Sequence, residues 1–304
     1  YAPLLGRWPA GGGAARAAAM IRAAGLAYRY PQAAAPALRG LDFDVEAGEI
    51  FGFLGPSGAG KSTTQKILIS LLDGYQGQVT VFGRPPGADY YERIGVSFEF
   101  PNHYLKLTAA ENLATFAALY RGPTRDPGAV LDAVALAADA DRRVAQFSKG
   151  MKARLSIARS LLPDPELLFW DEPTAGLDPG NARRIKDLAR AQKAAGRTIF
   201  LTTHDMALAD ELCDRVALLV DGRIVRIGAP RELRLAHGRR TVRVEVAGAG
   251  GVAAHEFPLD TLGDDAAFAE LLRAGGVRAI HSQEATREDV FLQLTGRRLD
   301  DDGQ

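Results

Sequence analysis

The chain has 304 residues, 47% of them hydrophobic, with 37 Lys+Arg balanced by 37 Asp+Glu. That length suits one large domain with an appendage, and a net charge of zero gives no basic field to hold nucleic acid by charge alone. The single cysteine, Cys213, excludes an internal disulfide framework and a thiolate metal cage and points to a reducing compartment; no apolar run approaches the roughly 18 residues that span a bilayer.

Residues 1–19 are Ala/Gly-rich, with Pro3, Pro9 and Gly11 to Gly13. Arg16 and Arg22 interrupt any apolar segment of signal-peptide length. The stretch is expected to be a disordered lead-in, or sequence upstream of a natural start at Met20. Ile21 to Tyr30 and Ala37 to Val45 then read as strands, the second alternating Leu41, Phe43 and Val45 with Asp42 and Asp44. Tyr28 and Tyr30 place rings just before the turn at Pro31. A strand aromatic packed in the core is the stronger reading for either ring taken alone. The position of Tyr30 relative to the next motif points instead to stacking on a base.

That motif is Gly55-Pro56-Ser57-Gly58-Ala59-Gly60-Lys61-Ser62-Thr63. It follows the apolar run Glu49 to Leu54 and precedes Ile67, Leu68, Leu71 and Leu72, which have helical spacing. Strand, glycine-rich loop and helix in that order give the G-x-x-x-x-G-K-[ST] pattern its meaning. A loop short of Cβ atoms curls its N–H groups around phosphate oxygens, and the helix start adds free N–H groups and a positive end. Lys61 is expected to reach the outer phosphates and the Ser62 hydroxyl to ligate Mg²⁺.

Gly77 to Phe82 and Ile94 to Phe98 read as further strands, and Glu99-Phe100-Pro101-Asn102 breaks the second. Thr108 and Glu111 form a capping box for a helix with Leu113, Phe116, Ala117 and Tyr120 on one stripe. A helical insertion over about 104–162 is expected between two strands of a parallel sheet. Within it Ser148 precedes a helix with Met151, Leu155, Ala158 and Leu162 on one face. On spacing alone Ser148 is better read as an N-cap than as a second anion site, which Lys149 would reinforce.

Leu167 to Trp170 is a continuous apolar run, as in a strand buried on both faces, and it ends in Asp171-Glu172. Paired carboxylates there lie at the crevice where open α/β sheets bind ligands. Mg²⁺ on a nucleotide would offset the cost of burying them. Asp178-Pro179 caps a long helix. Thr198 to Thr203 forms the next strand and ends at His204, on the same sheet edge as the carboxylates. Val216 to Val220 and Ile224 to Ile227 pair across Asp221-Gly222. The remaining histidines, His103 among them, have no comparable setting. Beyond Gly228, Thr241 to Val246 reads as a strand, and Phe268 to Leu272 and Val290 to Leu294 as helices. This small α+β extension, residues 229–304, is marginal as an isolated fold.

Over about Ile21 to Leu235 the motif order resembles the nucleotide-binding subunit of an ATP-binding cassette (ABC) transporter. Gly55 to Thr63 is similar to its Walker A loop, Leu167 to Glu172 to Walker B, Phe147 to Met151 to the signature, Ala175 to Asp178 to the D-loop, and His204 to the switch histidine. The tail Ala285 to Phe291 resembles type-two drug or antibiotic exporters that work with a separate permease. The resemblance implies a P-loop NTPase (RecA-like) α/β core over 20–228, with an N-terminal antiparallel β subdomain, the helical insertion and the C-terminal extension. It implies a peripheral subunit on the cytoplasmic face of the membrane, partnered by a polytopic permease and by a second nucleotide-binding subunit, as a homodimer.

In that head-to-tail dimer each MgATP lies between one phosphate loop and the partner's signature, so Ser148, Gly150 and Asp178 join the nucleotide-binding set with Tyr30. Hydrolysis is then an in-line attack of water on the γ-phosphate. Glu172 acts as base, Ser62 holds Mg²⁺ directly and Asp171 holds it through water, His204 orients the γ-phosphate and the water, and Lys61 offsets charge. Two departures stand out. The usual Ser-Gly-Gly-Gln signature is Ser148-Lys149-Gly150-Met151, and the usual glutamine that contacts Mg²⁺ is Glu99, which can still ligate it. Rival readings are a soluble cassette ATPase acting on nucleic acid or the ribosome, and a non-hydrolytic regulatory subunit. One phosphate loop, one cysteine and balanced charge weigh against the first, and the intact Asp171, Glu172 and His204 against the second.

Overall fold

The computed structural model describes residues 19–283, except 101, 238–240 and 249–250. Strand β1 (Ala19–Tyr28) pairs antiparallel with β2 (Leu38–Glu46). Next come β3 (Ile50–Leu54), helix α1 (Lys61–Leu68) and β4 (Gln76–Val81), which returns to the free edge of β1. After β5 (Ile94–Ser97) the helical insertion carries α2 (Ala109–Ala117), α3 (Pro127–Ala133) and α4 (Lys149–Ser160). The chain re-enters the sheet as β6 (Leu167–Asp171), then alternates α5 (Pro179–Ala194), β7 (Thr198–Thr203), α6 (Met206–Leu212), β8 (Arg215–Val220) and β9 (Arg223–Gly228).

The central sheet has the order β5-β6-β7-β3-β8-β9, parallel except for the edge strand β9. Its inner strands are buried on both faces, which explains their unbroken apolar sequences. On one face Phe51, Phe53 and Phe200 meet Phe43 of the three-stranded sheet β2-β1-β4, and Phe169 packs on Phe200. On the other, Ile50, Leu54, Leu168, Trp170, Ile199 and Leu201 meet the insertion and helices α5 and α6. Each fully buried large apolar side chain contributes about 1.5–3 kcal/mol, so these two cores hold the three layers together. The fold is the α/β P-loop NTPase type expected from the motif order.

Several boundaries differ from the sequence reading, for local reasons. Tyr30 lies beyond the end of β1. Helix α1 stops at Leu68 because Ser70 takes φ 58° and the N–H groups of Ser70 and Leu71 turn back to Ile67 and Lys66. That terminator leaves Leu71 57% exposed instead of on a helical stripe. Leu162 and Tyr120 likewise lie just past their helices, yet still pack on the core. The Thr108–Glu111 capping box forms in both directions. Asp221 and Gly222 both take positive φ, 47° and 72°, as a two-residue hairpin turn needs.

After α7 (Pro230–His237) the extension forms a separate antiparallel sheet of β10 (Thr241–Gly248), β11 (Gly251–Pro258) and β12 (Val277–Gln283), in the order β11-β10-β12. Helix α8 (Ala266–Ala274) contributes Phe268 and Leu271 to a small core with Val242, Val244 and Phe257. The sequence pattern marks β10 and α8 but not β11, whose residues are exposed apart from Phe257. The lead-in, the tail from Ala285 and the helix expected at Val290 to Leu294 lie outside the described residues.

Candidate nucleotide site

Gly55 follows β3 where the backbone passes β8 so closely that a Cβ would sit 2.1 Å from the Leu219 carbonyl oxygen. Gly60 caps α1 with φ 110°, and a Cβ there would come 2.9 Å from Ala37 O. Only glycine satisfies both positions. Between them Pro56, Ser57, Gly58 and Ala59 form the loop, and Ala59 is buried. Lys61 is 8% exposed, and its ammonium donates to Gly55 O at 2.6 Å and Pro56 O at 3.0 Å. Burial lowers its pKa, while Glu172, Asp171 and Glu99 work in the opposite direction.

The loop borders a cavity of about 250 Å³, lined by Ser57, Gly58, Gly60, Lys61, Ser62 and Thr63 on one side. Glu99, Asp171, Glu172 and His204 line the other side. The parallel sheet brings these distant segments together, since β3, β5, β6 and β7 all deliver their C-terminal ends to one edge. Ser62 Oγ faces Asp171 Oδ1 at 3.5 Å, and the Thr202 hydroxyl donates to that same carboxylate oxygen. Glu172 has φ 47°, a left-handed conformation uncommon for a side-chain-bearing residue. Thr203 Oγ1 donates to Glu172 Oε2 at 3.1 Å, and His204 Nδ1 lies 2.8 Å from Oε1, donating to it. The Glu172 side chain is only 9% exposed, whereas that of His204 is 55% exposed. Burial raises the pKa of Glu99, and Asp171 and Glu172 add to this against Lys149 and His204.

A hydroxyl and a carboxylate facing each other in a pocket also lined by a lysine and backbone N–H groups suit a hard cation with oxygen ligands and a polyphosphate. Ser62 and Asp171, with Glu99 on the same wall, are the donors that fit Mg²⁺. Tyr30 is not on the cavity wall, but its hydroxyl meets Thr63 Oγ1 at 3.2 Å and its ring packs edge-on against Tyr28 at 5.0 Å. Ser148, Gly150 and Asp178 lie outside the cavity. The Ser148 hydroxyl caps α4 at Met151 N–H (3.2 Å), Asp178 caps α5 at Asn181 N–H (3.0 Å), and a Cβ on Gly150 would come 3.3 Å from Leu177. Thr202 and Thr203, which hold the two carboxylates, read in the sequence only as strand residues. Their signal is polarity at the end of an otherwise apolar strand.

A phosphate loop and an ordered acid pair at one sheet edge define an ATP-binding, ATP-hydrolysing cassette. The chain belongs to the ABC transporter family. Residues 38–175 match that family, and residues 240–284 match the fluoroquinolone efflux ABC transporter C-terminal domain. It is 62% identical, over 92% of its length and 94% of the relative's, to a fluoroquinolones export ATP-binding protein of Mycobacterium tuberculosis. A Nod factor export ATP-binding protein of Rhizobium meliloti is 39% identical over 88% of this chain and 85% of the relative. Among solved structures, an ATP-binding subunit of an ABC transporter superposes with TM-score 0.64 at 31% identity, covering 71% of this chain and 92% of that one. A dimeric cassette in a post-hydrolysis state with ADP and Pi gives TM-score 0.63 at 27% identity, covering 70% of this chain and 99% of that one.

Proposed function

We propose that the chain powers export of a fluoroquinolone-type drug through a separate polytopic permease. In this reading it docks at the cytoplasmic face of the membrane and hydrolyses MgATP as a head-to-tail homodimer. The observation that carries the enzymatic part is the convergence of Lys61, Ser62, Asp171, Glu172 and His204 on one cavity. The likeness to the mycobacterial exporter subunit, extending through the C-terminal module, supports the substrate class.

Lys61 leaves its two carbonyl acceptors for the β- and γ-phosphates, whose charge it neutralises. Glu172, already aligned by Thr203 and His204, takes the proton of the water attacking the γ-phosphate. His204 remains exposed enough to touch both water and phosphate. Ser62 and Asp171, with Glu99, would hold Mg²⁺, which supplies charge neutralisation between the outer phosphates. Ser148 and Gly150 serve the partner's nucleotide, consistent with their position outside their own cavity, and Asp178 lies beside them at the dimer seam. Tyr30 supplies the ring beside the adenine.

Docking of the permease is supported by a groove of about 760 Å³ between the core and the helical insertion. Its lining includes Leu71, Tyr91, Phe98, Phe116 and Leu119, of which Leu119 is 71% exposed. Apolar side chains grouped on a surface in this way mark an interaction site. No described helix is long and apolar enough to cross a membrane, and in this reading the permease carries the transport path. The deciding experiment co-expresses the chain with its permease in a fluoroquinolone-sensitive host, beside Glu172→Gln. Drug efflux is expected only with the wild-type chain, and turnover of the variant should fall by about 10²–10⁴-fold with ATP binding retained. Equal efflux from both strains would remove Glu172 as the base, and hydrolysis without drug efflux would remove the substrate assignment.

A further inference from the structure

Lys149 opens α4, where a contact to the partner's phosphates is the obvious role, but its side chain turns towards its own protomer. It shares the wall of a small cavity of about 30 Å³ with Glu99, Asp171 and Glu172. Its chain also runs along the next loop, so that a Cβ on Gly176 would lie 3.7–3.8 Å from Lys149 Cε, Cδ and Nζ. The ammonium therefore faces the carboxylate side of the site in which Glu99 sits.

The residues after Glu99 are fastened to the same helix. His103 Nε2 lies 2.9 Å from Lys152 O, and Arg159 Nη1 donates to Asn102 O at 2.9 Å. The Arg159 guanidinium also sits 4.6 Å over the Phe116 ring, which ties α4 to α2. At the lower turns of α4 the connection is thus made by direct hydrogen bonds. At the start of the helix the opposite charges of Glu99 and Lys149 line one cavity wall.

We propose that Glu99 and Lys149 act as one charge-compensated pair within a protomer, positioning the start of α4 against the loop that borders the γ-phosphate site. A glutamate in place of the neutral amide and a lysine in the signature are then a single coordinated change. Lys149 is a positioning residue for its own site instead of a phosphate ligand for the partner's. The inference rests on the reading of Glu99 as part of the nucleotide site.

The test is a double-mutant cycle on the full chain, Glu99→Gln, Lys149→Ser and the pair together, with kcat and KM for ATP measured for each and Lys149→Arg as the conservative control. Lys149→Ser leaves Glu99 beside Asp171 and Glu172 without that cation, and Glu99→Gln removes one of the carboxylates facing Lys149. Each single change should therefore lower kcat by roughly fivefold, the upper range for an exposed pair. KM for Lys149→Ser should stay within about twofold, because Lys149 positions a helix and does not hold nucleotide. The double variant should lose no more kcat than the worse single variant, and Lys149→Arg should stay within about twofold of wild type. Multiplicative losses in the double variant, no loss in either single, or a rise in KM from Lys149→Ser alone would each overturn the pair. ATP-induced dimerisation of Glu172→Gln, followed by gel filtration, separates the two readings. Its absence overturns the site assignment itself, whereas its presence beside a multiplicative cycle overturns the pair alone.

Discussion

His103 lies between the stretch after β5 and helix α4, with Nε2 against Lys152 O and Nδ1 buried without a protein partner. Burial pulls its pKa down to about 4, against the Lys152 carbonyl and with help from the charges of Arg159 and Lys152. The neutral ring with Nε2–H donating satisfies the site, and a proton on Nδ1 would be a buried, unpaired donor. An unfolded histidine titrates near 6.5. From about pH 6.5 down to about 4 the unfolded chain therefore binds more protons, and stability falls as pH falls through that window. The melting temperature of the wild type should drop more steeply there than that of His103→Asn, by a slope worth up to about one proton. Parallel curves would show that the ring protonates freely in the folded chain.

Among the elements, α4 and β6 are joined by one buried polar contact. Trp170 Nε1 donates to Ser160 Oγ at 3.0 Å, and Ser160 Oγ in turn donates to Ile157 O at 2.7 Å. Trp170 is fully buried on the strand that ends at Asp171. Ser160→Ala leaves the indole N–H without an acceptor and should cost about 1–3 kcal/mol. Urea unfolding checks this through a lower midpoint at unchanged m-value. An unchanged midpoint would mean that another acceptor takes over.

For the whole molecule, the groove between core and insertion is the proposed docking surface for the permease. Leu119, just past the end of α2, lines it and is largely exposed. Leu119→Asp should leave ATP binding by the isolated chain intact and abolish stimulation of hydrolysis by the permease in lipid. Retained stimulation would place the docking surface elsewhere. The same preparation checks the metal assignment. Chelation of divalent cations should stop hydrolysis, with Mg²⁺ restoring it, because Ser62 and Asp171 offer oxygen donors and no sulfur or imidazole.

Much of the core was legible in the chain itself. The loop Gly55 to Thr63, the apolar runs ending at Asp171 and His204, the capping box at Thr108 and the hairpin turn at Asp221-Gly222 are local patterns, fixed by backbone sterics and burial on two faces. Helix ends were less legible, since the terminator at Ser70 depends on one residue taking a left-handed conformation that composition does not announce. Strand β11 was not legible because its residues, apart from Phe257, stay exposed and leave no apolar alternation. The roles of Thr202, Thr203, His103 and Lys149 could not be read from spacing at all. Their partners lie 31 to 49 residues away along the chain for Thr202, Thr203 and His103, and for Lys149 most of the insertion separates it from Glu99. The sequence by itself determined the fold class, the phosphate loop and the acid pair, because each is a short pattern with one physical meaning. Only the tertiary structure decided which hydroxyls orient the carboxylates and which charge Lys149 faces, because those choices depend on where the parallel strands and α4 end in space.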